Sequence, residues 1–185
     1  MLFTKLVPMM IDLRTISRGA RHFDFTFEPD WWRGMGQYDQ VLGLDVPLEV
    51  HIEISKAGDK YVIDGNLRGG IQVRCDRCLE PYHDDLESSF RLFSMLAPPD
   101  MGESEVELSE EDLSVDFMVG DEIDPEGIVR EQVYLSLPMK TLCKEDCLGL
   151  CPLCGANLNM GPCACKGESG HPGFRTLKNI TYDGE

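Results

Sequence analysis

Residues 46–75 read "VPLEVHIEISKAGDKYVIDGNLRGGIQVRC". Val46, Leu48, Val50, Ile52 and Ile54 alternate with polar neighbours, the two-residue period of a strand with one buried face. "KAGD" is a turn, and "KYVIDGNLRG" and "GIQVRC" predict two further strands, with Gly69 and Gly70 marking a turn between them. Upstream, "HFDFTFE" (22–28) places Phe23, Phe25 and Phe27 on one strand face. "PDWWRGMGQY" follows as a turn-rich loop. Its adjacent Trp31 and Trp32 would face opposite ways in an extended chain, one in the core and the other covering a sheet edge or available to a partner. Downstream, "LESSFRLFSML" (86–96) alternates Leu86, Ser88, Phe90 and Leu92 and reads as one more strand. The region is antiparallel β.

Beyond it, "APPDMGESEVELSEED" (97–112) reads as a solvated loop, first proline-rich and then acidic. "DEIDPEGIVREQVYLSLP" (121–138) predicts a helix. Asp124 can cap it, Pro125 suits the first helical position and Glu126 favours the positive end of the dipole. Val129, Val133 and Leu137 recur at four-residue spacing, and Pro138 stops the helix. The expected class is α+β: an antiparallel β domain over 1–98, an acidic loop over 99–122, and a helix with a cysteine-rich zinc-knuckle tail over 123–185, packed on the β domain.

With 185 residues and 42% hydrophobic content, the chain can build a core without staples. No apolar run reaches the length of a membrane span. The apolar start, "MLFTKLVPMMIDLR", is interrupted by charge and proline and reads as a strand or arm, so a cytoplasmic location with reduced thiols is expected. The net charge of −16 is unevenly placed: between Leu92 and Val129 there are 12 acidic residues and no Lys or Arg. The remainder shows no basic surplus, which argues against a large phosphate-neutralising surface.

All eight cysteines lie in close pairs: Cys75 and Cys78, Cys143 and Cys147, Cys151 and Cys154, Cys163 and Cys165. In a reduced compartment this pattern favours metal over disulfides. Two thiolates two residues apart can reach one tetrahedral ion, and "CPLCG" (151–155) has the flanks of a knuckle, whereas "CDRC" (75–78) has weaker ones. Grouping Cys151, Cys154, Cys163 and Cys165 closes a short loop at low entropic cost. Cys75, Cys78, Cys143 and Cys147 then tie the tail to the β region. A competing partition groups Cys143, Cys147, Cys151 and Cys154, and the tight "CAC" leaves room for one free thiol. Sites filled by four protein ligands are structural, and one or two zinc ions per chain are expected. Cys147, Cys151 and Cys154 also match the C-x-x-x-C-x-x-C spacing of radical SAM enzymes, but the motif lies too near the C-terminus for a barrel to follow.

His83 could replace a thiol, His51 is expected to be exposed, and His171 reads as a turn residue. No Ser–His–Asp set or phosphate-cradling loop stands out. Gly34 and Gly36, like Gly69 and Gly70, read as turn markers.

"GNLRGGIQVRCDRCLEPYHDDLESSFRLFSM", "LPMKTLCKEDCLGLCPLCGANLNMGPCAC" and "HPGFRTLKNI" together resemble the YceD family, the large ribosomal RNA subunit accumulation proteins, from about Asp45 to Ile180. The resemblance implies a cytoplasmic bacterial protein needed for 23S rRNA accumulation and large-subunit assembly, with no enzymatic activity to carry over. Some members lack the "CP-x-CG" and "C-x-C" cysteines yet keep the "C-x-x-C" and ligand-like residues near 143 and 147, which supports the first partition. The ending departs from the family's "DPR-x-x-x-L".

The expected function is therefore a non-catalytic ribosome biogenesis factor with structural zinc. Its expected partners are large-subunit assembly intermediates or basic ribosomal proteins held by the acidic segment, with no membrane or small-molecule substrate. Direct rRNA binding is left open. The alternative from another class is an iron–sulfur or thiol-based rRNA-processing or redox enzyme.

Overall fold

The computed structural model describes residues 10–16, 19–32, 40–97 and 115–165. The acidic run around 98–114, Gly34, Gly36, His171 and the closing "HPGFRTLKNI" lie outside them.

A five-stranded sheet carries the fold, in the order β2 (Arg21–Phe27), β3 (Val41–Ala57), β4 (Lys60–Arg74), β5 (Pro81–Leu96) and β6 (Val115–Met118). The first four pair antiparallel and β6 runs parallel to β5. A short ladder of β1 (Ile11–Asp12) with β7 (Glu122–Ile123) stands beside it. The single helix among the described residues is α1 (Pro125–Ser136). The α+β class expected from periodicity is the observed one.

Strand β3 turns into β4 through a two-residue loop, Gly58–Asp59, with Ala57 opposite Lys60. Gly58 takes φ +69°, which this tight connection needs at its first position. The register then pairs Phe23 with Ile52, Phe25 with Val50 and Phe27 with Leu48, so the two apolar alternations share one face. Leu48, Val50, Ile52 and Ile54 are buried there, joined by Ile63 and Leu67 of β4. Val46 departs from the expected alternation and is exposed. Register shifts between Leu44 and Val46, and again between Val46 and Glu49, turn its side chain off the core face.

The two strands predicted on either side of Gly69 and Gly70 are one strand, β4. These glycines mark close approach and not a turn. A Cβ on Gly69 would lie 2.8 Å from the Pro47 carbonyl oxygen and 3.0 Å from Leu48 Cα. Likewise, 99–122 is not loop throughout: Val115–Met118 adds a sheet edge and Glu122–Ile123 pairs with β1. These pieces are too short for periodicity to reveal.

Helix α1 starts as expected. Asp124 accepts the Glu126 N–H at 3.0 Å, and Pro125 occupies the first turn. Val129 and Val133 are buried in the core shared with the sheet. The two tryptophans lie in a 3-10 turn, Pro29–Trp32, so they are not opposed as in an extended chain. Trp32 is buried and meets Tyr134 at 5.8 Å between centroids. Trp31 is also engaged within the chain: it stacks on Phe27 at 4.1 Å, lies under the Arg130 guanidinium at 4.2 Å, and donates its Nε1–H to Glu126 at 2.9 Å. No helix among the described residues is long and apolar enough to cross a membrane.

Candidate metal centres

The C-x-x-C of residues 75–78 is the connection between the two long strands β4 and β5. Cys75 follows Arg74 directly, and Pro81 begins the next strand. The Cys75 N–H donates to the Glu80 carbonyl at 3.0 Å and the Leu79 N–H to the Cys75 carbonyl at 2.9 Å. The second knuckle repeats these bonds: Cys151 N–H to Ala156 at 2.8 Å and Gly155 N–H to Cys151 at 2.8 Å. In both, the residue after the second cysteine has positive φ, +61° at Leu79 and +74° at Gly155. In both, the amides two and three places on point at the first sulfur: Arg77 and Cys78 at Cys75, Leu153 and Cys154 at Cys151.

The tail reaches the first knuckle through Thr141, which is buried. Its N–H donates to Asp76 Oδ2 at 2.8 Å, its hydroxyl to the Arg74 carbonyl at 3.0 Å, and its carbonyl accepts the Asp76 N–H at 2.8 Å. The side-chain amide of Gln40 donates to Thr141 Oγ1 and to the Arg74 carbonyl. Held this way, the segment from Thr141 brings Cys143 and Cys147 to Cys75 and Cys78.

The thiols form two sets of four. Cys75, Cys78, Cys143 and Cys147 lie with all sulfurs within 4.8 Å of one another, and so do Cys151, Cys154, Cys163 and Cys165. This is the grouping favoured by loop length. The competing set and the radical SAM triplet are both divided, because Cys147 sits with the first group and Cys151 and Cys154 with the second. Both members of "CAC" join their set. All eight thiols are free of disulfides. Cys75 and Cys147 are 3.8 Å apart at sulfur, as are Cys78 and Cys143. Bonds of ~2.3 Å to one tetrahedral ion put sulfurs about 3.8 Å apart. The donor set therefore fits a single thiophilic ion. A four-iron cluster, whose thiolates bind separate irons, needs a wider cage than sulfurs all within 4.8 Å provide.

Electrostatics agree with an ion-binding set. Burial disfavours the Cys75 thiolate, but the amides of Cys143, Cys78 and Arg77 outweigh it and bring its pKa to about 6. Burial and the neighbouring sulfurs push Cys143 to about 12. In the second set, the Leu153 and Cys154 amides bring Cys151 to about 6, while Cys154 and burial push Cys165 to about 12. In the first set burial also opposes the Cys147 thiolate, but contacts led by the Asn159 amide outweigh it and lower its pKa, while burial raises Cys78. Each set thus mixes thiols that ionise readily with thiols that resist ionisation beside them. A cation removes that repulsion.

The sets differ in exposure. Cys75, Cys78 and Cys147 are buried, whereas in the second set only Cys151 is, and Cys154 and Cys165 are exposed. His83 lies in neither thiol set. Its Nδ1 bonds Asp45 at 2.7 Å and its Nε2 bonds Asp85 at 3.1 Å. His51 is partly exposed and bonds Asp24 at 2.7 Å. Sequence reading missed Thr141 and Gln40, whose partners are distant in sequence, and Asn159, whose side chain reaches a sulfur 12 residues earlier.

Comparison with known proteins gives the context. The family described as "Large ribosomal RNA subunit accumulation protein YceD" matches residues 63–181. The chain is 28% identical to the chloroplastic YCED homolog 1 of Arabidopsis thaliana, over 72% of this chain and 48% of the relative. It is 29% identical to the homolog 1 of Zea mays, over 72% of this chain and 53% of the relative. An uncharacterised protein of Mycobacterium tuberculosis is 30% identical over 62% of this chain and 53% of its own length. The chain thus spans about half the length of these curated relatives. No solved structure matches it significantly. With both thiol sets inside the matched region, the chain belongs to the YceD family of large ribosomal RNA subunit accumulation proteins.

Proposed function

We propose that this protein is a non-catalytic factor supporting accumulation of large-subunit ribosomal RNA, its tail held in shape by two structural zinc ions. The observation that carries this reading is that each thiol set is complete with four ligands. A four-thiolate tetrahedral site has no open position for a substrate or an activated water. Cys75, Cys78, Cys143 and Cys147 would hold one ion and Cys151, Cys154, Cys163 and Cys165 the other. The two plant relatives carry the ribosomal RNA accumulation name, which supports the process.

The protein acts in the cytoplasm through protein contacts more than through a grip on RNA. Four thiolates around one divalent ion still carry −2, so metal loading does not reverse the net charge of −16. The acidic segment between Leu92 and Val129 suits basic ribosomal proteins of an assembling large subunit.

The test begins with metal content per chain and an absorbance spectrum on protein purified without oxygen or added metal. Two zinc ions and no visible band are expected. Iron with a visible band would replace this reading with a redox one. Depletion in cells should lower large-subunit rRNA relative to small-subunit rRNA. A chain with the four cysteines of the first set changed to serine should fail to restore it. Carboxylate-to-amide changes in the acidic segment should reduce co-purification of ribosomal proteins.

A further inference from the structure

The two thiol sets are bridged by contacts that belong to neither. Only Leu148, Gly149 and Leu150 separate Cys147 of the first set from Cys151 of the second. The Leu150 N–H donates to the Arg77 carbonyl at 3.1 Å, inside the first knuckle. The Arg77 guanidinium returns to the Cys147 carbonyl at 2.9 Å and the Glu145 carbonyl at 3.1 Å. A Cβ on Gly149 would stand 3.0 Å from the Arg77 carbonyl oxygen, so backbone meets backbone closely here.

Asn159 makes the bridge chemical. It lies between the two halves of the second set, Cys151 and Cys154 before it, Cys163 and Cys165 after it. Yet its Nδ2–H donates to the sulfur of Cys147, a first-set thiol, at 3.3 Å. Its Oδ1 accepts the Leu148 N–H at 2.9 Å. Asn157 fixes the side chain further, its Oδ1 accepting Asn159 N–H at 3.0 Å and Nδ2–H at 2.9 Å. The turn carrying them, Leu158–Met160, is tied back by the Leu158 N–H to the Gly149 carbonyl at 2.9 Å.

We infer that the two metal sites are positively coupled through Asn159, so that an ion on Cys151, Cys154, Cys163 and Cys165 tightens binding at Cys75, Cys78, Cys143 and Cys147. This rests on the proposal that both sets hold metal. Asn159 sits in a loop whose far end, among the described residues, is closed by Cys163 and Cys165. With the second ion bound, the loop is clamped at both ends and the amide is held on the Cys147 thiolate. Without it, the contacts to Asn157, Leu148 and Gly149 remain but the far end is loose, and first-site binding must meet more of the ordering of Asn159. The coupling is reciprocal, because linkage between binding free energies is symmetric. The second site, with two exposed ligands, is the one that solution conditions reach first. Loss of the ion at the exposed site then weakens binding at the buried one, which holds the tail to the sheet. Asn159 is a positioning residue in this scheme and not a ligand.

The test uses full-length reduced protein, stripped and then titrated with Co²⁺ against a chromophoric chelator. The tetrathiolate cobalt bands give stoichiometry and affinity together. Wild type should take two ions. C163S/C165S should take one, with first-site affinity lowered about ten-fold or more, the usual scale for hydrogen bonds to metal ligands. N159A should take two ions, with a similar loss at the first site and all eight thiols present. Adding N159A to C163S/C165S should cost little more, since both act through the same contact. Wild type that binds fewer than two ions would overturn the metal reading itself. Two ions in wild type with unchanged first-site affinity in C163S/C165S and in N159A would overturn the coupling and leave the metal reading intact. Circular dichroism confirms that each variant keeps its sheet.

Discussion

Leu79 and Gly155 occupy the same position in two copies of one turn, each directly after the second cysteine of a C-x-x-C pair and each with positive φ, +61° and +74°. Only glycine takes this conformation freely. An L-residue with a Cβ meets a penalty of roughly 1–2 kcal/mol. Leu79 is half-exposed and offsets little of this by packing. L79G should therefore leave metal binding intact and be neutral to stabilising by up to about 1 kcal/mol, after the extra chain entropy of glycine is counted. L79V should destabilise, because a β-branched side chain tolerates positive φ least. Urea midpoints of the zinc-loaded variants decide it. A clear drop in L79G would mean that the leucine side chain makes a contact that outweighs the strain.

The same pair explains what could be read from sequence. "CPLCG" displays its knuckle through Gly155, while "CDRCL" hides an equivalent one behind a leucine, so the 75–78 motif reads as weaker than its geometry is. Alternation found the strands of the sheet because Leu48, Val50, Ile52 and Ile54 bury one face without interruption. It failed at Val46, where two register shifts intervene, and at Gly69 and Gly70, whose role depends on what lies across the sheet. Loop length, a local quantity, favoured the observed thiol sets but left the grouping of Cys143, Cys147, Cys151 and Cys154 open. Thr141 and Gln40 stayed invisible, since a hydrogen bond across about a hundred residues leaves no trace in spacing. Asn159 stayed invisible because a side-chain bond to a sulfur 12 residues earlier follows no strand or helix period.

Loss of the two sets should not be equivalent. The first joins the β4–β5 connection to a segment 65 residues later, and three of its four sulfurs are buried. Structural zinc binding is folding free energy. C75S or C147S should thus lower the thermal midpoint sharply and free the tail to proteolysis near Thr141. C154S or C165S should lower it less and leave the β sheet protected. Zinc release to a chelator should occur in two phases, with the second set emptying first. Release in a single phase, or equal damage from C75S and C165S, would contradict the division into a buried lock and an exposed site.

Gly69 and Gly70 predict a graded pair of defects. A methyl at Gly69 strikes backbone, the Pro47 carbonyl oxygen at 2.8 Å and Leu48 Cα at 3.0 Å. Strand β3 would have to move, so G69A should cost about 1–3 kcal/mol, the usual range for overpacking. At Gly70 the neighbours are side-chain atoms, His83 Cε1 at 2.6 Å, Asp45 Oδ1 at 2.9 Å and Val46 Cγ2 at 2.9 Å. These can swing aside on an exposed surface, so G70A should cost less than G69A in urea midpoints. The reverse order would show that the His83 contact, and not the approach of β3 to β4, requires glycine here.

His83 reaches across that glycine, bonding Asp45 of β3 at 2.7 Å and Asp85 of its own strand at 3.1 Å. The hydrogen bond to Asp45 is the main cause that raises its pKa above the ordinary 6.5, and the bond to Asp85 adds to it. The imidazolium is favoured in the folded chain. By linkage, its contribution to stability is fully present below pH 6.5 and disappears as pH rises through the raised value. Wild type held zinc-loaded should therefore lose this contribution between mildly acidic and alkaline pH, and H83Q should not. The difference between the two urea midpoints should shrink with added salt, because the bridge is exposed. G70A, which displaces the imidazole, should resemble H83Q in its pH dependence while keeping the histidine. If G70A instead retains the wild-type pH slope, the charge pair survives its displacement. If H83Q retains it, the slope belongs to other groups and the bridge from β3 to β5 adds nothing to stability.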